Sequence, residues 1–289
     1  MQRAFFGGEI DLSVADSSLF FEGIKKFGYL NLRRALCESL VRGETPITVN
    51  HLNRLLMQWM NDSHLAHRAK ELGLDELPIW HAPHVIQAPS REKRFARALK
   101  IKLGMLRYTA GEEAFHKEAI QLFGKEVARF RRRLERLAPA RPPYVENLSE
   151  FEGRLRYQFR DNAHLARALT SQARVPREPD SNELYECLGD SVLGSIVLDM
   201  MLEEQNTLPQ ARFPRRHGPA LENSELAKLG RALGLEDTPE ARREGITSDT
   251  FEALIGAIYL DGGYQAAASI VKRFAVSEDG TLFFWQLAA

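Results

Sequence analysis

The chain has 289 residues, 44% hydrophobic and 27% charged with a formal net charge of zero, enough for one large or two modest domains with real cores. No apolar run approaches the ~18–20 residues of a membrane span, and Glu9 and Asp11, close behind a short apolar start, exclude a signal peptide and argue against a typical transit peptide. The only cysteines, Cys37 and Cys187, lie far apart in apolar helical contexts and read as reduced core thiols, so the expected location is the cytoplasm, with an organelle such as the mitochondrion left open.

Taken in chain order, the apolar spacing predicts an all-α protein. Amphipathic stretches run over 17–42, 48–73, 91–108 and 112–136. His81-Ala-Pro-His84 falls in a proline-containing loop without partner cysteines, and neither it nor His64, His67 and His116 makes a convincing ligand set. The last helix of this half carries Phe130-Arg-Arg-Arg-Leu-Glu-Arg136, in which Arg131, Arg132 and Arg133 are either contacts to a polyanion or a solvated face. Pro139-Ala-Arg-Pro-Pro143 cannot continue that helix, and a linker at 138–147 divides a domain over 1–137 from one over 148–289. Further helices follow at 182–206, 221–234, 249–261 and 263–275, the last two parted by Gly262-Gly263. Residues 1–145 hold 24 Lys/Arg against 16 Asp/Glu, and the remainder 15 against 23. A basic half joined to an acidic half suits a polyanionic partner, or helps two domains dock.

Two acidic motifs carry the chemistry. On a helix, Glu186 and Asp190 are four apart and Asp249 and Glu252 three apart, so each pair projects from one face. Both pairs interrupt apolar runs (Cys187-Leu188; Ala253-Leu254-Ile255), where an uncompensated charge is costly. Four carboxylates gathered beside a core repel one another unless a divalent cation neutralises them, which points to Mg²⁺, with Mn²⁺ as a substitute, and to chemistry on phosphate esters.

Glu186-Cys-Leu-Gly-Asp190 resembles the E-F-L-G-D signature of ribonuclease III, and Asp249-Thr-Phe-Glu252 through Gly263 resembles the helix that completes that family's site. Phe151–Phe159 with Ala168–Ser171 resemble its opening helices, and Asn223-Ser-Glu-Leu-Ala227 with Leu233-Gly-Leu235 its central one. The likeness spans about residues 148–275. It implies a Mg²⁺-dependent endoribonuclease that hydrolyses double-stranded or hairpin RNA to 5′-phosphate and 3′-hydroxyl ends. Glu186, Asp190, Asp249 and Glu252 would be at once catalytic residues and metal ligands, activating water for in-line attack. Asn182, Glu183 and Asn223 would orient the acids or a dimer seam, and Ser191 and Tyr259 would pack behind them. Two departures matter. No double-stranded RNA-binding domain is expected after Gly263, and the segment between Leu235 and Asp249 is short and poor in basic residues. The alternative is a non-catalytic RNA-binding or ribosome-associated protein that keeps the fold.

The first half resembles a degenerate second copy. Leu65–Leu74 parallels Leu226–Leu235, Phe21–Phe27 can be laid beside Tyr185–Ser191, and Arg97–Leu106 beside Asp249–Ile258, with Ala110-Gly111 beside Gly262-Gly263. In this alignment Glu22 matches Glu186, but Lys26 replaces Asp190, Arg97 replaces Asp249 and Lys100 replaces Glu252. Such a copy repels Mg²⁺. Its cations would hold RNA phosphates, or would fill the vacated site with ion pairs; an unrelated helical accessory domain is the other possibility. The family pattern allows a homodimer through the C-terminal domains, or an intramolecular pseudo-dimer like the paired domains of Dicer.

Overall fold

The computed structural model describes residues 17–42, 47–81, 83–134, 148–170, 181–204, 221–235 and 244–275. The linker at 138–147, Ser171, residues 236–243 and the side chains of His84 and Arg133 lie outside this description. Among the described residues there is no strand, as the periodicity predicts, and no helix long and apolar enough to cross a membrane. The helices are α1 Ser17–Val41, α2 Val49–Met60, α3 Asp62–Glu71, α4 Pro83–Ile86, α5 Arg91–Leu134, α6 Leu148–Leu155, α7 Asn162–Ala168, α8 Glu183–Glu204, α9 Asn223–Ala232 and α10 Glu244–Ala275. The described residues fall into two compact units, one drawn from those within 17–36, 53–132 and 201–204, the other from those within 37–52, 133–200 and 221–275.

Local chemistry explains the boundaries. The predicted helix over 48–73 divides at Asn61, whose side chain accepts from the His64 amide at 2.8 Å and so caps α3. Gly73 beyond α3 and Gly234 beyond α9 have φ of 62° and 72°, the left-handed conformation in which glycine ends a helix without a Cβ penalty. The opening segment of the second half is two short helices, α6 and α7. Between them, Asp261 accepts from the amides of Arg160 and Asp161, both at 3.0 Å, and from the Tyr157 hydroxyl at 2.6 Å. These donors hold the Asp261 carboxyl below its usual pKa, although burial works against them. The two longest helical runs, α5 and α10, each break at a glycine: Gly111 at φ 83°, ψ −171° and Gly263 at φ 82°, ψ −175°.

Each unit has its own core. In the first, Ile24, Phe27 and Leu32 of α1 and Phe95, Leu99, Leu103, Phe115 and Phe123 of α5 are inaccessible or nearly so. Arg34 is wholly buried there and is held by Asn31 Oδ1 at 3.0 Å and Glu112 Oε1 at 2.5 Å. In the second, Leu188, Val192, Leu193 and Ile196 of α8 are buried, as are Phe251, Leu254, Ile255 and Ile258 of α10. Cys37 and Cys187 are buried free thiols, as the sequence suggests.

Candidate metal centre

The site begins with a packing constraint. At Gly189, one residue before Asp190, a Cβ would stand 1.8 Å from the Glu252 carbonyl oxygen; at Gly256 it would stand 2.2 Å from that of Tyr185. The α8 and α10 backbones therefore touch at a pair of glycines; Gly189 lies within a turn of Glu186 and Asp190, and Gly256 lies one turn beyond Glu252 and two beyond Asp249. The α8 end of the crossing is anchored where the chain enters it. The buried Asn182 donates its amide to the Thr170 carbonyl at 2.8 Å, and its carbonyl accepts from the Tyr185 and Glu186 amides, both at 2.9 Å. Glu183 and Glu186 thus sit in the first turn of α8, where the helix dipole favours negative charge.

The crossing brings Glu186, Asp249 and Glu252 together, each half-buried and each offering one oxygen, with all three oxygens within 4.8 Å of one another. Among the described residues these are the ones grouped closely enough to share an ion. Burial, then the charges of Asp249, Glu183 and Asp190, raise the Glu186 pKa to about 7. Burial also raises Asp249, against a hydrogen bond from the Ser248 hydroxyl at 3.3 Å. At such separations each pair of carboxylates repels by roughly 3–4 kcal/mol at an effective dielectric of ~20. Hard oxygen donors, crowded and partly desolvated, are the set that Mg²⁺ or Mn²⁺ takes. Asp190, the fourth sequence candidate, stays outside the close triple and acts on Glu186 through its charge.

The other candidates are dispersed. Glu183 lies beside the site and contributes to its negative potential, while Asn223 opens α9 on an exposed face. Ser191 is buried and donates to the Cys187 carbonyl at 3.3 Å. Tyr259 does pack, donating to Glu38 Oε2 at 2.6 Å, and next to it Arg42 Nη1 donates to the Leu260 carbonyl at 3.0 Å. Sequence reasoning passed over two contacts behind the site: Asp261, described above, and the His164 Nδ1–Tyr185 hydroxyl pair at 2.8 Å. An acid immediately before Gly262-Gly263 was the available signal for the first.

In the first unit, Lys26 is half-buried, and burial lowers its pKa. Lys100 is ion-paired with Asp62 at 2.8 Å, and Arg97 is half-buried on α5. Arg131 is half-buried, and exposed Arg132 lies 3.4 Å from the Ala128 carbonyl.

Known proteins resemble the part of the chain that carries the four acids. The ribonuclease-III-like family pattern matches residues 161–278, which hold all four acids. In this segment the chain is similar to the ribonuclease III family. It is 37% identical over 134 residues to "Ribonuclease 3" of Streptomyces coelicolor, covering 42% of this chain and 48% of that one. Against "Ribonuclease 3" of Albidiferax ferrireducens it is 37% identical over 136 residues, covering 44% and 58%. The chain thus spans about half the length of the curated relatives it matches. The nuclease domain of ribonuclease III from Campylobacter jejuni aligns with a TM-score of 0.42 at 27% identity, over 45% of this chain and 94% of that one. Dicer from Giardia aligns over 91% of this chain and 55% of that one, with a TM-score of 0.57 at 15% identity, a likeness of fold.

Proposed function

We propose that the protein is a divalent-metal-dependent endoribonuclease acting on double-stranded or structured RNA, leaving 5′-phosphate and 3′-hydroxyl ends. The observation that carries this reading is the carboxylate triple at a glycine-to-glycine helix crossing, inside the segment that matches the ribonuclease III family. Glu186, Asp249 and Glu252 would hold the ion, with Asp190 adding charge from one turn along. A bound Mg²⁺ would supply Lewis-acid stabilisation of charge on the phosphate oxygens and a lowered pKa for the attacking water. The chain's own residues do the rest. The locked crossing fixes the spacing between the acids of the two helices before substrate arrives, so little reorganisation accompanies reaction. Glu183 and Asp190 keep the site negative, so that it selects a cation over the bare phosphate. We place the catalytic domain at 148–289, after a linker at 138–147, and the accessory domain at 1–137. Pairing is either between two chains through the C-terminal domains or within one chain.

The test is cleavage of an end-labelled RNA duplex with Mg²⁺ by wild type and Glu252→Gln, with the solution mass determined alongside. Wild type should cut and the variant should lose at least a hundredfold in rate while duplex affinity changes little. Cuts on both strands from a dimer indicate pairing between chains, and a single-strand nick from a monomer indicates pairing within one. Metal-dependent cutting unaffected by the substitution would sink the assignment, and no cutting of any duplex or hairpin would favour the RNA-binding alternative.

A further inference from the structure

The first unit contains a helix crossing built like the one at the metal centre. A Cβ on Gly28 of α1 would stand 1.9 Å from the Lys100 carbonyl oxygen, and one on Gly104 of α5 would stand 2.1 Å from that of Ile24. In the second unit the same partners are Gly189 with Glu252 and Gly256 with Tyr185. In both units the touched carbonyl lies four residues before the glycine on its own helix. Gly111 follows Gly104 by seven residues and Gly263 follows Gly256 by seven, and their φ values are 83° and 82°. The helices α3 and α9 are both ten residues long, and each is followed by a left-handed glycine. Asp62 also stands as far along the chain from Gly28 as Asn223 does from Gly189. This correspondence places Lys25 opposite Glu186, Tyr29 opposite Asp190, Asp62 opposite Asn223, Arg97 opposite Asp249 and Lys100 opposite Glu252. On α1 it differs by three residues from the alignment that paired Glu22 with Glu186 and Lys26 with Asp190. That alignment matched the acids, whereas the close approach of the backbones is set by the glycine.

Two cations at the first crossing, Lys100 and Lys25, are already ion-paired. Lys100 Nζ lies 2.8 Å from Asp62 Oδ1 and 5.4 Å from the centroid of the Tyr29 ring, a cation held between a carboxylate and a π face. Lys25 pairs with Glu22 on its own helix. We propose that the first unit is a second copy of this crossing in which the Lys100 ammonium replaces the divalent cation, so the chain takes up metal in one copy and is closed to it in the other. In the first unit the cation is a side chain at the Glu252 position, paired with residues at the positions of Asn223 and Asp190 rather than at those of the close triple. This inference rests on the reading of the second site as a metal centre, and the test separates the two.

Mn²⁺ binding to the full chain is measured by titration of the free-ion electron paramagnetic resonance signal, for wild type, Glu252→Lys and the triple variant Lys25→Glu/Arg97→Asp/Lys100→Glu. Wild type should show one class of bound Mn²⁺, Glu252→Lys none, and the triple variant a second class. Stoichiometric binding that survives in Glu252→Lys and disappears on adding Asp62→Ala would overturn the proposal. So would a folded triple variant that gains no Mn²⁺. If wild type binds none but the triple variant does, the inference stands and the assignment of the second site fails. Should the triple variant not fold, Lys100→Glu alone places a carboxylate beside Asp62. Mn²⁺ should then broaden amide resonances around residues 62 and 100, and absence of that broadening sinks the idea.

Discussion

At the scale of the residue, Glu186 stores the conflict that a metal would resolve. Its folded pKa of about 7 lies above the ordinary carboxyl value of 4.5. Folding therefore binds a proton between those two values, and in the absence of metal the stability contributed by this group is present below pH 4.5 and is lost as pH rises through 7. Glu186→Gln should stabilise the metal-free protein above pH 7 by about 1–2 kcal/mol, a figure reduced for the site's partial exposure, and should make no difference near pH 4. Urea unfolding at the two pH values checks this; equal effects at both would mean that the carboxyl is not strained. The sequence made the four acids legible because they interrupt apolar runs. It could not tell that Asp190 lies outside the close triple, because helical spacing gives the face of one helix and not the distance across to another.

At the scale of the element, the acids meet because two helices touch at Gly189 and Gly256. Gly189→Ala forces a methyl against the Glu252 carbonyl, and the helices must part. Overpacking of this kind costs about 1–3 kcal/mol or more. Thermal unfolding should show that loss, with Mn²⁺ affinity reduced at least tenfold because two of the three oxygens move away from the third. An alanine variant of full affinity would show that the crossing does not set the site. Helix existence and the breaks at Gly111 and Gly263 were readable from apolar period and glycine placement. The division at Asn61 and the turn between α6 and α7 were not, since the first depends on a side-chain cap and the second on Asp261, a hundred residues along the chain.

At the scale of the whole molecule, a ligand that binds only the folded state raises its stability, by about 2.7 kcal/mol at a hundredfold excess over Kd. Mg²⁺ should therefore raise the Tm of the full chain at pH 8. The shift should shrink at pH 5.5, where protons compete for Glu186, and should vanish in Glu252→Gln. A shift that persisted in that variant would locate the binding elsewhere. The charge asymmetry between the halves was readable from composition. Its use was not, since in the first unit Lys100 and Lys25 are engaged in ion pairs that no count of charges reveals.

The glycine crossing also has an evolutionary consequence. The parts that hold the helices together are backbone atoms and two residues without side chains, while the parts that do chemistry are neighbours one or two turns away. Mechanical and chemical duties are thus written in separate letters. A lineage can erase or rewrite the reactive set without dismantling the joint, and an engineer can treat the joint as a blank socket in which charge, metal preference or inertness is chosen afterwards.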